Sequence, residues 1–336
     1  MRNFKKIALG ALVLFLCAGF VTVVEAAPQH RFRFAGQHPI DHPVTLGMNW
    51  VANEIRERTE GRIEVTVFPA SQLGDWSGVI NELIQGTIDM SMMSLSPAFD
   101  PRFGVLYMNG LVVSYDQARE VYLPDAWLLQ TLDRMTSEIG IRIVGIYLEG
   151  FIGVGSTTPL NEPLNPAVDK GVMTRVPGMA VFITGAHAMN FRTVTVPWAD
   201  VFFAVQTGTA DAVIGLAAAT AYTMLGDLLS YWYVLNYSME SHPFQISMSS
   251  WDRLSPQDQQ IIADIGREFT LRSIEMAEVD ENRFFGYMEA RGITVHRFTE
   301  EELQPIKEAL HASWDGLVDT FGQEFVDEIK SVFGTN

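Results

Sequence analysis

The side chains that could perform chemistry are few, and none of them forms a recognisable catalytic set. The one cysteine, Cys17, lies in the N-terminal apolar segment and leaves the rest of the chain without a thiol nucleophile. No Gly-x-Ser-x-Gly elbow occurs, so a serine hydrolase of that type is not indicated. The acidic run from Glu300 to Glu302 stands at a predicted helix start, where the helix dipole favours solvated carboxylates. The sequence therefore predicts no catalytic residue.

Cofactor and metal signatures are equally weak. The stretch G-F-I-G-V-G at residues 150–155 has the wrong spacing for a dinucleotide loop, and strand-like residues follow it where a helix must begin. His38, Asp41 and His42 lie within five residues and could ligate a metal, but Pro39 and Pro43 break the helix that would align them. A structural role for these residues is favoured over a metal site, and we expect neither a cofactor nor a metal.

Composition narrows the class of protein. The 336 residues carry 23 Lys and Arg against 40 Asp and Glu, a net charge of −17, with 48% apolar and 19% charged residues. An apolar content this high argues against a disordered chain. The acidic balance argues against nucleic acid as a partner, because phosphate binding needs concentrated Lys and Arg. The length favours two domains.

The first 26 residues are typical of an export signal. Arg2, Lys5 and Lys6 precede an uncharged apolar run over residues 7–24, and the sequence V-E-A then ends at Ala26. This order predicts a secretory signal peptide, cleaved after Ala26, and a soluble protein in the periplasm. An uncleaved membrane anchor is the alternative, because the run is close to the roughly 20 residues needed to span a bilayer.

Strands and helices alternate along the rest of the chain, which predicts an α/β fold. A unit of strand, helix and strand over residues 62–93 is followed by a similar unit over residues 191–214. Both helix-to-strand joins share the sequence G-T-x-D, at residues 86–89 and 208–211. Ser255 and Pro256 then start a helical pattern that runs to Gly292, about 54 Å at 1.5 Å per residue. Such a helix is longer than one ordinary domain, so we expect it to span two α/β lobes.

Five stretches resemble motifs of one protein family, the periplasmic solute-binding proteins of TRAP (tripartite ATP-independent periplasmic) transporters. In this chain they read R-I-E-V-T-V-F-P-A-S-Q-L-G at 62–74, Q-G-T-I-D-M at 85–90, G-V-M-T-R-V-P at 171–177, P-W-A-D-V-F-F-A-V-Q-T-G-T-A-D at 197–211 and W-D-R-L-S-P at 251–256. Each motif is modest alone, but their order and number are specific. The resemblance covers roughly residues 32–321.

The resemblance implies two lobes with a ligand cleft between them and hinge closure on an organic anion. The predicted lobes are residues 27–149 with about 241–280, and residues 150–240 with about 281–336. The family also implies delivery of the solute to a small and a large membrane permease subunit. We expect a monomer. A secreted ligand sensor of the same fold is the alternative within this class, and a carboxylate-based hydrolase is the alternative from another.

Arg175 is the main predicted ligand residue. It corresponds to the arginine of the family's R-V-P motif, which pairs with a substrate carboxylate, and its forked guanidinium suits that role chemically. An ion pair with a nearby Asp is the alternative. The resemblance also places Gln37, Trp76, Ser94 and Trp198 in the cleft, although core or surface roles are nearly as well supported for each.

Two departures from the family pattern bear on the ligand. Many relatives carry a second arginine where this chain has Ile152, within a stretch that also brings Glu149 and Phe151 to the predicted cleft. Gly215 stands where the family often has Asn or Trp. One cation is lost and a carboxylate is gained, which predicts a monocarboxylate with an apolar or amino portion rather than a sialic acid or a dicarboxylate. Alternatively, Glu149 turns outward into solvent, which favours a plain monocarboxylate.

Overall fold

The computed structural model describes residues 27–334, and the predicted signal peptide lies outside the described residues. The strands fall into two mixed sheets flanked by helices, which confirms the predicted α/β class. In chain order the strands are β1 (His30–Gly36), β2 (Ile63–Phe68), β3 (Met90–Met92), β4 (Ile141–Phe151), β5 (Val154–Ser156), β6 (Met173–Val176), β7 (Arg192–Thr195), β8 (Ala212–Val213), β9 (Tyr231–Tyr233), β10 (Met239–Ser247) and β11 (Thr294–His296).

The first sheet has the order β2-β1-β3-β10-β4. Its first three strands are parallel, and β10 returns antiparallel between β3 and β4. The pairing of β10 with β4 contains a bulge, because Glu240 pairs with Gly150 whereas Ser241 pairs with Leu148. Glu149 is the extra residue, and such a bulge changes where its side chain is directed.

The second sheet has the order β11-β9-β5-β8-β6-β7. Strands β6, β7 and β8 run parallel, and β5 pairs antiparallel with β8 and β9. The first sheet thus draws on residues 30–151 and 239–247, and the second on residues 154–233 and 294–296. The boundaries of the two predicted lobes remain a prediction.

The helices cover both sheets, and several of them begin at a side-chain cap. The Asp75 side chain accepts a hydrogen bond from the Gly78 N–H, and Thr299 with Glu302 forms a capping box. The helices are α1 (Pro43–Arg58), α2 (Trp76–Gln85), α3 (Tyr115–Val121), α4 (Trp127–Ser137), α5 (Ala180–Ala188), α6 (Val201–Gln206), α7 (Ala218–Leu225), α8 (Met248–Trp251), α9 (Pro256–Ala290), α10 (Glu300–Ala312), α11 (Val318–Phe321) and α12 (Gln323–Phe333).

Helix α9 joins the two halves of the molecule. It is 35 residues long, or about 52 Å. Ile265 and Phe269 near its middle are buried with Phe34 of the first sheet. Phe285 and Met288 near its end are buried in a separate core. That second core includes Val213 and Trp232 of the second sheet. The expectation of one helix that spans both α/β units is confirmed.

Within residues 27–334, no helix combines the length and the apolar character needed to cross a bilayer.

Candidate functional site

A cavity of about 500 Å³ lies between residues of the two sheets. Gln37 follows β1, Ser94 follows β3 and Glu240 lies on β10, all from the first sheet. Arg175 on β6 and Trp198 after β7 come from the second sheet. This volume falls within the roughly 300–1,000 Å³ of small-molecule sites. Side chains from both sheets therefore enclose a space that fits one small solute.

Arg175 is the one Lys or Arg side chain in the wall of this cavity, as far as residues 27–334 show it. Its guanidinium is buried and donates from Nε to the Val196 carbonyl oxygen at 3.1 Å. A second N–H, on Nη1, points to the Ile214 carbonyl oxygen at 3.4 Å. Because arginine carries five N–H donors, the remaining three have no protein acceptor in the described residues. The alternative of an ion pair with a nearby Asp does not occur within that range.

Burial lowers the pKa of Arg175 to about 10, and the neighbouring Glu240 opposes this shift. The guanidinium nevertheless stays protonated at neutral pH. Burying a cation without an ion-pair partner costs free energy unless a bound anion neutralises its charge. The two main-chain carbonyls hold the fork in place, so its free edge forms a preorganised site for a carboxylate.

The remainder of the wall combines aromatic surface with a few polar groups. Trp76 and Trp198 are half-buried at the cavity, and Tyr107 and Phe182 lie deeper in the protein. The Tyr107 hydroxyl donates to the Ser241 carbonyl oxygen at 2.9 Å and shares a hydrogen bond of 2.8 Å with Ser94 Oγ. A mostly apolar wall with a few placed polar groups is typical of a site for a small organic molecule.

Glu240 is a wall residue that the sequence analysis did not identify. It lies on β10, in the cavity wall. Burial is the main cause that raises the pKa of its carboxyl well above the usual range. The nearby Glu149 charge adds to the shift, and Arg175 acts in the opposite direction. The charged form of Glu240 is therefore disfavoured, and the carboxyl can donate a hydrogen bond when it is protonated. The available indication was a lone acid, Glu240, in the otherwise apolar and neutral sequence of a strand.

Five of the predicted ligand residues lie in the cavity wall: Gln37, Trp76, Ser94, Arg175 and Trp198. Glu149, Phe151 and Gly215 do not form part of this wall. Their contacts, which the sequence does not reveal, explain the difference.

Glu149 is the bulge residue of β4, and its carboxylate is buried elsewhere. Oε1 accepts from the Thr220 N–H at 3.0 Å and from the Thr220 hydroxyl at 2.6 Å, and Oε2 lies 3.0 Å from His242 Nε2. The alternative of an outward, solvated Glu149 is also wrong, because only 4% of the residue is exposed. Burial acts to raise its pKa, but His42 and the hydrogen bond with His242 outweigh burial and lower it.

Phe151 and Gly215 serve the framework around the site. The Phe151 ring packs edge-on against Tyr115, with centroids 5.0 Å apart. Gly215 has a φ of 91°, and a Cβ there would lie 2.5 Å from Pro177 Cγ. The absence of a side chain at Gly215 therefore lets Pro177 pack beside Arg175. Ile152, which replaces the family's second arginine, is fully buried in the apolar core.

The fold and the cavity define a class: a protein that encloses a small solute between two α/β halves. Residues 34–320 match the model of the DctP family, described as bacterial extracellular solute-binding protein, family 7. The chain belongs to this family. This membership confirms the predicted class of binding protein over enzyme, and it places the family's function outside the cytoplasm.

Named relatives are distant but similar over their full length. The sialic acid-binding periplasmic protein SiaP of Vibrio cholerae is 22% identical over 99% of this chain and 100% of the relative. A solved TRAP periplasmic solute-binding protein from Haemophilus influenzae, with bound L-gulonate, superposes with a TM-score of 0.81 at 20% identity over 91% of this chain and 99% of that one. One from Desulfovibrio salexigens, with bound orotic acid, gives 0.80 at 19% identity, with coverages of 91% and 99%.

Proposed function

We propose that this protein is the solute-binding subunit of a TRAP transporter and that it captures a small organic acid with a single carboxylate. The observation that carries the proposal is the buried guanidinium of Arg175, which keeps three N–H donors free beside a cavity of about 500 Å³. Family membership supports the transport role. L-gulonate and orotic acid, the ligands of two structural neighbours, each carry one carboxylate group.

The count of cavity charges supports one carboxylate rather than two. Arg175 is the one cation of the described wall, and the position of the second family arginine holds the buried Ile152. A second substrate carboxylate would face Glu240 or apolar side chains, and an unpaired buried charge costs several kcal/mol, on the order of 3–5. The ligand class is therefore a monocarboxylate rather than a dicarboxylate.

Glu240 changes the proposed chemistry of the rest of the ligand. An amino group on the ligand was expected to face Glu149, but Glu149 lies outside the wall. Glu240 lies in the wall instead, and burial raises its pKa, which favours the protonated carboxyl. A neutral carboxyl donates to a hydroxyl or carbonyl oxygen without needing a cation. We therefore favour a monocarboxylate whose body presents hydroxyl, carbonyl or apolar groups to Glu240, Gln37 and the two tryptophans.

Export and delivery complete the proposal. The chain is made with a signal peptide over residues 1–26, acts as a monomer in the periplasm, closes its two lobes on the ligand, and passes it to the small and large permease subunits. The cavity wall itself supports closure, because it is built from both sheets joined by α9. Hinge closure around a ligand is a common motion of such two-lobed proteins.

The experiment is a thermal-shift panel of matched organic acids on the purified protein. Monocarboxylates such as L-gulonate and orotate, C4-dicarboxylates, sialic acid and zwitterionic amino acids are compared at equal concentrations. We expect stabilisation to be confined to the monocarboxylates. Tight binding of a C4-dicarboxylate would contradict the ligand class, and binding of no organic acid in a broader panel would contradict the function.

A further inference from the structure

Behind the cavity wall, three side chains from distant parts of the chain meet in the interior. His38 follows β1, Glu149 lies on β4 and His242 lies on β10. Each offers one ligand atom, and these atoms all lie within 4.8 Å of one another. We call these three residues the histidine cluster. All of them are buried, and none belongs to the cavity wall.

The hydrogen bonds of the cluster are incomplete. His38 Nδ1 and His242 Nδ1 are buried and have no hydrogen-bond partner in the described part of the chain. Buried polar atoms are nearly always paired with protein, ordered water or an ion. The His38 and His242 rings, with centroids 4.8 Å apart, therefore each keep one nitrogen available to a bound species.

His42 lies next to the cluster but has both ring nitrogens occupied. Nδ1 accepts from the Val44 N–H at 3.3 Å and caps α1, which fixes the proton on Nε2. Nε2 then lies 3.1 Å from the Thr220 hydroxyl, which in turn donates to Glu149 Oε1. His42 therefore holds Thr220 and Glu149 in place, as second-sphere residues do at metal sites.

The negative charge of Glu149 also indicates that a cation binds in the histidine cluster. The Glu149 carboxylate is buried, and among residues 27–334 no Lys or Arg pairs with it. Its hydrogen-bond partners are the Thr220 N–H and hydroxyl and the His242 ring. A divalent ion between the imidazole nitrogens and this carboxylate would supply the missing positive charge.

We propose that His38, Glu149 and His242 bind a divalent transition-metal ion of the zinc class. Two imidazoles and one carboxylate form a ligand set that zinc and neighbouring first-row metals use in proteins. Calcium and magnesium are excluded by the same argument, because they select oxygen ligands. The sequence favoured a structural role for His38, Asp41 and His42. The fold leaves Asp41 exposed, assigns His42 to capping, and brings His242 and Glu149 to His38 instead.

The position of the cluster defines what the ion would do. His38 directly follows the wall residue Gln37, and its ring lies edge-on to Trp198 at 5.8 Å. Glu149 is bonded to Thr220 on α7, which packs in the second core beside Ala219. The ion would therefore fix the ends of β1, β4 and β10 behind the cavity and would stabilise the protein without touching the ligand.

The test is metal binding to the purified protein after treatment with a chelator. We expect Co²⁺ to give a saturable visible d–d band at a single site per chain, and Zn²⁺ to displace it. At 100 times its Kd, Zn²⁺ should raise the unfolding midpoint by on the order of 5 °C. The absence of both a Co²⁺ band and a Zn²⁺-dependent rise in the midpoint would overturn the proposal.

Variants separate this site from adventitious binding by surface histidines. His38→Gln, Glu149→Gln and His242→Gln should each weaken Co²⁺ binding by at least roughly 10–100-fold. His187→Gln and Asp41→Asn change exposed residues and should leave it unaltered. If His242→Gln fails to fold, His38→Gln is the variant that tests the site. This substitution should disturb the fold less, because the one hydrogen-bond contact of the His38 ring within residues 27–334 is with Gln37. Unchanged Co²⁺ affinity in folded His38→Gln would overturn the proposal.

Discussion

The Glu281 carboxylate of α9 accepts a hydrogen bond of 2.8 Å from the main-chain N–H of Phe151, at the end of β4. This bond ties the long helix to the point where the chain leaves the first sheet for the second. Glu281 is buried, and burial raises its pKa from an ordinary 4.5 to about 7, although the Phe151 N–H opposes the shift. The contact therefore depends on pH.

We predict that Glu281→Gln removes a pH-dependent loss of stability. Between about pH 4.5 and 7 the folded wild type holds a proton on Glu281 that the unfolded chain releases, so its free energy of unfolding falls as pH rises. The loss amounts to about 3 kcal/mol above pH 7. Gln keeps the acceptor for Phe151 and does not titrate. Denaturant unfolding of both proteins across this range should show the gap widening with pH, and parallel profiles would contradict the assignment.

A second prediction concerns how closely α9 packs on the first sheet. A Cβ at Gly266 would lie 2.0 Å from the Val144 carbonyl oxygen, a main-chain atom that cannot move alone. Gly266→Ala should therefore cost about 1–3 kcal/mol or more through overpacking. Gly286 is the matched control on the same helix, because nothing lies within 4 Å of its Cβ position. Gly286→Ala should add up to about 1 kcal/mol of stability. Equal effects on thermal unfolding would contradict the packing.

The missing second arginine leads to a third prediction. Ile152→Arg introduces the arginine that the resemblance to the family implies at this position, yet Ile152 is fully buried in an apolar core here. The substitution should destabilise the protein by about 3–5 kcal/mol through a buried unpaired charge and should not confer dicarboxylate binding. Ile152→Val, the conservative control, should cost only about 0.5–1.5 kcal/mol. A stable Ile152→Arg protein that binds a C4-dicarboxylate would place this position in the cavity after all.

Much of the fold follows from local sequence patterns. The strand predicted over residues 191–196 occurs as Arg192–Thr195. The caps at Asp75 and Thr299 and the long helix after Ser255 also form, because each depends on neighbours in the chain. The end of β4 is a contrast. The polar Glu149 and the flexible Gly150 resemble a strand end, but β4 continues to Phe151 through a bulge formed with β10.

The candidate site, like the fold, could be predicted from the sequence only in part. The positions of Arg175, Trp198 and Gln37 in the cavity wall accord with the motifs that the chain shares with its family. Glu240 reaches the cavity wall, and His242 the histidine cluster, only because β10 inserts between β3 and β4, a strand order that no local pattern specifies. For the same reason the sequence assigned to Glu149 a cleft position that Glu240 occupies.

A fourth prediction concerns closure. The wall combines residues of both sheets, so a bound ligand contacts both halves and should favour the closed arrangement. Small-angle scattering of the purified protein should show a smaller radius of gyration when the strongest monocarboxylate from the panel is saturating. A non-binding dicarboxylate is the control for the added solute. An unchanged profile with bound ligand would argue against hinge closure.

The central claim is that Arg175 is the anion anchor, and calorimetric titration of Arg175 variants tests it most directly. With the strongest monocarboxylate, Arg175→Ala should lose about 2–5 kcal/mol of binding free energy, or roughly 30-fold to several thousand-fold in Kd. Arg175→Lys should also lose affinity, because a point charge cannot replace a fork fixed by the Val196 and Ile214 carbonyls. Wild-type affinity in a folded Arg175→Ala protein would contradict the account.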